Sequence, residues 1–196
     1  MAVVIEAAHV EDLPAILALL QKSGLPQDGL SDHVTTTLVA REDHAIVGSA
    51  ALELYGTVAL LRSVAVADQL RGQGLGQQLT KEALKLAEQH GVTLVYLLTE
   101  TASGFFPRFG FRPIPRSEAA PAVHASTEWT TACPDTAQAM VTDLHAMKPE
   151  RTAEESDTGY WTEMDQLAAE IGKHWQGDMD AVEAVRDVRR DLGQSR

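Results

Sequence analysis

The sequence predicts an α/β fold, a mixed sheet with helices on its faces. Three observations carry that reading. Strand-like apolar segments alternate with segments whose apolar residues recur at helical spacing. Three strand-like segments follow one another in the middle of the chain, joined by short turn signals suited to antiparallel hairpins. A later segment, 93–99 (TLVYLLT), is apolar almost throughout, as a strand covered on both faces would be.

The elements follow in order. Residues 2–7 read as the first strand, and 13–24 as a helix with Leu13, Ile16, Leu17 and Leu20 on one face. Asp12 stands at its cap position, Pro14 near its start where a missing N–H costs little, and Gly24 at its end. Pro26 to Gly29 reads as a loop. Strands are expected at 36–41, 45–54 and 57–67, with turns at Glu42-Asp43 and Tyr55-Gly56. Leu75 to Gln89 is a second amphipathic helix, closed by Gly91. Beyond the 93–99 strand come a short helix at 102–109, a strand at 111–115, a helix at 117–126 and a last strand at 137–144.

Composition narrows the function classes. The chain has 196 residues, of which 44% are hydrophobic and 22% charged, which is ordinary globular composition. The single cysteine, Cys133, excludes an internal disulfide and a multi-thiolate metal site. The seven histidines never fall at HxxxH spacing, so no helical zinc pair is expected, and the metal expectation is none. The net charge of −12 repels phosphate backbones, so nucleic acid is not an expected partner. Lysine is scarce, which fits either high-salt adaptation or plain compositional bias. No apolar run approaches the roughly 18 to 20 residues that span a bilayer, and no basic leader precedes one. The expectation is a cytoplasmic protein with no membrane partner.

The most informative segment is Arg62 to Gly76, RSVAVADQLRGQGLG, which runs straight into a helix. Glycines at 72, 74 and 76 let a backbone pass close to a bulky ligand. The free N–H groups that open the following helix, with its dipole, suit a pyrophosphate. A dinucleotide loop would need glycine at 77, where Gln77 stands, and a nucleoside-triphosphate loop would need Gly-Lys-Ser/Thr. A glycine-rich turn that merely caps a helix is the plainer alternative.

Arg71-Gly72-Gln73-Gly74-Leu75-Gly76 resembles the R/Q-x-x-G-x-G/A signature of the GNAT N-acetyltransferases, and Gly104 to Phe111 resembles that family's second landmark. The likeness covers residues 2 to 144. Within the family, LRSVAVADQLRGQGLG, YLLTETASGFF, GFRPIPR and the T-E-W…C-P…A-x-M pattern at 127–140 are most similar to N-acetyltransferases of arsenic resistance. The resemblance implies a GNAT-type, mostly antiparallel sheet with splayed fourth and fifth strands and helices on both faces. It also implies acetyl-CoA as cosubstrate. Its arm would lie against Val64, Ala65 and Val66, with an N–H there, that of Val64, polarising the thioester carbonyl. Arg71, Gly72, Gln73, Gly74, Leu75 and Gly76 would hold the pyrophosphate, and Phe106 would stand where many members carry a proton-donating tyrosine.

The acceptor amine must lose a proton before it attacks, and Glu100 and Glu53 are the candidate carboxylates. Glu100 also reads as a cap for the helix that follows, and Glu53 reads more readily as a solvated strand position. Arg62, Arg112 and Arg116, with Arg108 nearby, suggest a small anionic acceptor: an amino acid, or an arsenic- or phosphorus-containing analogue. Surface arginines paired with nearby acids are the alternative. Residues 1–145 form the expected N-acetyltransferase domain, 146–159 a linker, and 160–196 a helical C-terminal extension seated on that domain or on a second subunit, which would make a homodimer. Two other functions fit less of the sequence: a protein or peptide N-acetyltransferase, and an acyl-CoA-binding module without turnover.

Overall fold

A computed structural model describes residues 3–134 and 136–146. Residues 147–196 lie outside the described residues, and with them nearly all of the expected linker and the whole C-terminal extension.

The strands are β1 (Val3–Ala7), β2 (Thr37–Glu42), β3 (Ala45–Tyr55), β4 (Val58–Val66), β5 (Leu94–Thr99), β6 (Arg112–Ile114) and β7 (Gln138–Asp143). The α-helices among the described residues are α1 (Leu13–Lys22) and α2 (Leu75–Gln89). They build one seven-stranded sheet in the order β1-β2-β3-β4-β5-β7-β6. Every neighbouring pair is antiparallel except β4 and β5.

Both faces of the sheet are covered. On one, Leu79, Ala83 and Ala87 of α2 pack with Leu38, Ala40, Leu52 and Leu61. On the other, Ile16 and Leu20 of α1 pack with Val39 and Ala51. Farther along, Val58, Leu60, Tyr96, Val123, Trp129 and Val141 form a third cluster. Adjacent residues of β2 thus serve opposite layers, as the strand period of two requires.

Three stretches differ from the sequence reading. The helix expected at 102–109 is a 3-10 turn over Phe106–Phe109, and the one at 117–126 is two such turns, Arg116–Glu118 and Pro121–Ala125. Prolines at 107, 115 and 121 remove donors and fix the backbone, which shortens both. Leu30–Thr36, beyond the expected loop, forms 3-10 turns that bury Leu30 and Val34. Asp12 precedes α1 but does not cap it; its carboxylate accepts from the His9 N–H at 2.9 Å and pairs with Arg41 at 3.0 Å.

α2 crosses β3 at a glycine for a steric reason. A Cβ on Gly48 would lie 2.7 Å from Leu79 Cδ1, 3.1 Å from Ala40 Cβ and 3.3 Å from the Ala65 carbonyl oxygen. Gly48→Val is therefore expected to destabilise the fold by about 1–3 kcal/mol or more through overpacking, read as a lower urea midpoint with unchanged slope.

Candidate active site

The site begins with a register fault in β4. Ser49 of β3 pairs with Ala65, but Ala51 pairs with Arg62, so β4 carries one residue more than its partner. Ser63 takes up the excess at φ 55°, and its carbonyl accepts the Ser49 hydroxyl at 2.8 Å. The bulge reverses the alternation: Ala59 and Leu61 face α2 before it, Val64 and Val66 after it.

β4 meets β5 only over Val58–Leu60 and Leu94–Tyr96. Past Leu60 the two strands part, while β5 stays paired with β7 along its whole length. The gap opens into a cleft of about 1250 Å³ whose walls include Val64, Ala65, Val66, Leu98, Glu100 and Phe106. At one end it reaches Arg71, Gly72, Gly74 and Gly76. Gly72 and Gly74 have φ of 78° and 87°, the left-handed region in which glycine is favoured. Gly74 is the N-cap of α2, so the first N–H groups of a fifteen-residue helix open at the cleft end. Leu75 is buried beneath this loop, and Gln73 is exposed away from the cleft wall.

At the other end the wall is a buried polar cluster. Arg62 is 2% exposed, and its guanidinium binds Glu53 Oε1 through Nη1 at 2.5 Å. Its Nε lies 2.7 Å from Glu128 Oε2. Glu53 also accepts the Tyr55 hydroxyl at 2.6 Å. Burial pushes the Glu53 carboxyl up, but bonds from Tyr55, Ser126 and Arg62 outweigh it and hold the group below its ordinary value. Tyr55, desolvated and bonded to that carboxylate, is raised well above a free phenol.

Glu128 is placed by a turn of π-helix over Glu128–Ala132, which the Cys133 N–H closes on the Glu128 carbonyl at 3.1 Å. The Ser126 hydroxyl oxygen accepts the N–H groups of Glu128 and Trp129 at 3.1 and 3.3 Å. Trp129 packs edge-on against Tyr96. Burial raises the Glu128 carboxyl to about 7, with Arg62 pulling the other way. Burial also raises the neighbouring Cys133 thiol to about 12, so it stays a thiol bonded to Glu128. Glu128, Cys133 and Arg62 all line the cleft. Two atoms of this cluster, Arg62 Nη2 and Glu128 Oε2, are buried and make no aligned hydrogen bond among the described residues.

The structure brings Arg62, Glu100, Phe106, Val64–Val66 and the loop glycines to one cleft. It does not gather the three arginines. Arg112 is exposed on β6 and off the cleft wall. Arg116 donates to the Pro134 carbonyl at 2.8 Å and stacks over Trp129. Glu53 stands behind Arg62, away from the cleft surface, with both oxygens engaged. Glu100 is exposed at the end of β5 and accepts a long bond, 3.4 Å, from Thr136. Phe106 is buried among Phe105 and Phe111. Glu128 figures in the sequence only as part of the T-E-W…C-P pattern at 127–140 and carries no role there, since its partner Arg62 lies far away in the chain.

The strands splay beside a glycine turn, and residues 33–113 match the model of the acetyltransferase (GNAT) domain. A Chlorobaculum tepidum protein described as an uncharacterized N-acetyltransferase is 32% identical over 88 residues, 44% of this chain and 56% of that one. The chain thus spans little more than half the length of that curated relative. Among solved structures, N-acetylglutamate synthase from Neisseria gonorrhoeae with coenzyme A and N-acetyl-glutamate superposes with a TM-score of 0.63 at 22% identity, over 74% of this chain and 36% of that one. A Mycobacterium tuberculosis protein solved with CoA gives 0.62 at 23% identity, over 71% and 98%. At these identities the structural likeness shows the fold.

No helix among the described residues is long and apolar enough to cross a membrane.

Proposed function

We infer that this protein is an acetyl-CoA-dependent N-acetyltransferase acting on the amine of a small molecule. The observation that carries this reading is the opening between β4 and β5, which ends on the doubly left-handed turn at Gly72 and Gly74. An extended pantetheine arm fits the first as an added strand, and a pyrophosphate fits the second against the N-terminus of α2. The relatives solved with coenzyme A support the same occupant. The Val64 N–H, on the bulge and beside the gap, is the donor for the thioester oxyanion. Arg71 is held by the Val66 carbonyl at 3.0 Å and by Asp68 at 2.9 Å, which shapes the loop before the glycines.

The acceptor end supports an amino acid or an analogue. The Arg62 Nη2 donor has no hydrogen-bond partner among the described residues, and a carboxylate, phosphonate or arsenic oxyacid would complete it. Arg116, beside the cleft-lining Cys133-Pro134, adds positive charge near that end. The arsenic-containing class within this range rests on the likeness of the sequence strings alone.

The test is ligand-induced stabilisation. Acetyl-CoA at a hundredfold over its dissociation constant is expected to add about 2.7 kcal/mol, seen as a raised Tm. Gly74→Val is expected to abolish most of that shift. A Cβ there meets no protein atom within 4 Å, so the variant bears only backbone strain, about 1–2 kcal/mol, and folds. An unchanged shift in that variant would refute the loop's role.

A further inference from the structure

We propose that Glu128 is the general base that takes the acceptor's ammonium proton, a role that rests on the acetyltransferase reading above. The charge count of the buried cluster leads there. Arg62 supplies one positive charge, and Glu53 alone neutralises it through a hydrogen-bonded pair. Glu128 is a second carboxylate, 5% exposed, beside the same guanidinium. Burying a surplus carboxylate is costly unless another cation completes it. Its Oε2 is buried 2.7 Å from the Arg62 Nε and makes no aligned hydrogen bond among the described residues, and the residue lies on the cleft wall. An ammonium arriving in the cleft supplies both the missing donor and the missing charge.

The other two carboxylates fit the task less well. Both Glu53 oxygens accept bonds from groups that cannot leave, Tyr55 and Arg62. Glu100 lies at the exposed mouth of the cleft. Glu128 is instead held from three sides: Arg62 from β4, the Cys133 thiol from its own turn, and Ser126 through the backbone. Glu53 acts on it as a like charge, with Tyr55 and His33 behind Glu53 and Arg116 beside Cys133. Desolvation leaves Glu128 basic enough to accept a proton near neutrality and ionised enough to hold an ammonium there.

The acceptor's ammonium gives one proton to the Glu128 carboxylate. The freed nitrogen lone pair forms the C–N bond at the thioester carbon, and the carbonyl oxygen becomes the oxyanion at the Val64 N–H. Collapse breaks the C–S bond, and the second nitrogen proton leaves with the sulfur as the CoA thiol. Glu128 then returns its proton to water.

The experiment compares the wild type with Glu128→Gln, Glu128→Asp and Glu100→Gln from pH 5.5 to 9. The probes are acetyl-CoA with L-glutamate, L-leucine and ethanolamine, and CoA release is read with a thiol reagent. Wild-type kcat is expected to rise with pH through about 7, where the carboxyl ionises. Glu128→Gln should lose about a hundredfold or more in kcat and the rising limb, with an unchanged acetyl-CoA thermal shift. Glu128→Asp should keep the limb at lower kcat, and Glu100→Gln should keep both. A Glu128→Gln enzyme with normal kcat, or a limb lost in Glu100→Gln instead, would overturn the assignment. Should none of the three amines be acetylated, ¹³C-carboxyl NMR of the wild type with methylammonium decides. The Glu128 titration is expected to move to lower pH, and an unmoved titration overturns the proposal. Absence of any acetyl-CoA thermal shift would overturn the acetyltransferase reading itself, and the base with it.

Discussion

Arg62→Ala is expected to cost about 3–5 kcal/mol of folding stability, because it leaves two buried carboxylates facing each other without their cation. Glu53 and Glu128 are 1% and 5% exposed, so water cannot replace the guanidinium without opening the core between β4 and the π-turn. The loss should depend on pH. In the wild type Glu53 is held below its ordinary value, so its contribution is present above the ordinary carboxylate range and disappears as pH falls through the depressed value. Without Arg62 both carboxyls rise. The native state then keeps protons that the unfolded chain has released, and stability declines as pH climbs from about 4.3. Urea unfolding should therefore show a larger deficit at pH 8 than at pH 5. A deficit independent of pH would mean that the cost is lost packing, not unpaired charge. Arg62→Lys should recover part of the loss, since an ammonium restores the charge without the fork that reaches both carboxylates.

Trp129→Ala should be of similar size, about 3–5 kcal/mol, the range for removing a buried aromatic. Trp129 is 5% exposed, meets Tyr96 edge-on at 6.2 Å, stacks on His124 at 5.9 Å and lies under Arg116. It is the anchor that seats the π-turn against the sheet, and Glu128 is the adjacent residue. The variant should therefore lose turnover beyond its loss of stability, while its acetyl-CoA thermal shift, which depends on the loop at Gly72 and Gly74, survives. Trp129→Phe keeps an aromatic edge for Tyr96 and should retain more of both. Melting curves with and without acetyl-CoA, together with CoA release at a temperature where each variant is folded, separate these effects. Loss of the acetyl-CoA shift in Trp129→Ala would mean that the two ends of the cleft are not independent.

Local pattern alone determined much of this protein. Alternation and hairpin signals located the strands to within a residue or two, and helical spacing located α1 and α2. The apolar run 93–99 announced a strand covered on both faces, and β5 sends Val95 and Leu97 into one core cluster and Tyr96 into another. The glycine turn was legible because the left-handed conformations it needs fall on closely spaced residues, Gly72 and Gly74. The turns at 106–109 and 116–125 were harder, since tertiary packing and proline, not helical periodicity, set their length.

The buried polar end of the cleft was decided by tertiary structure. Glu53 alternates with Leu52 and Leu54, as an outward residue on a one-sided sheet would. Yet that outward face is covered by the segment around Val123 and Trp129, so the carboxylate is buried and needs Arg62. The bulge at Ser63 depends on a register that β3 imposes and that no single strand encodes. Glu128 lies sixty-six residues beyond Arg62 in sequence, yet its Oε2 is 2.7 Å from the arginine's Nε. A carboxyl's chemistry follows from what surrounds it, and for Glu128 those surroundings come from β3, β4 and the π-turn, elements that meet only when the chain has folded.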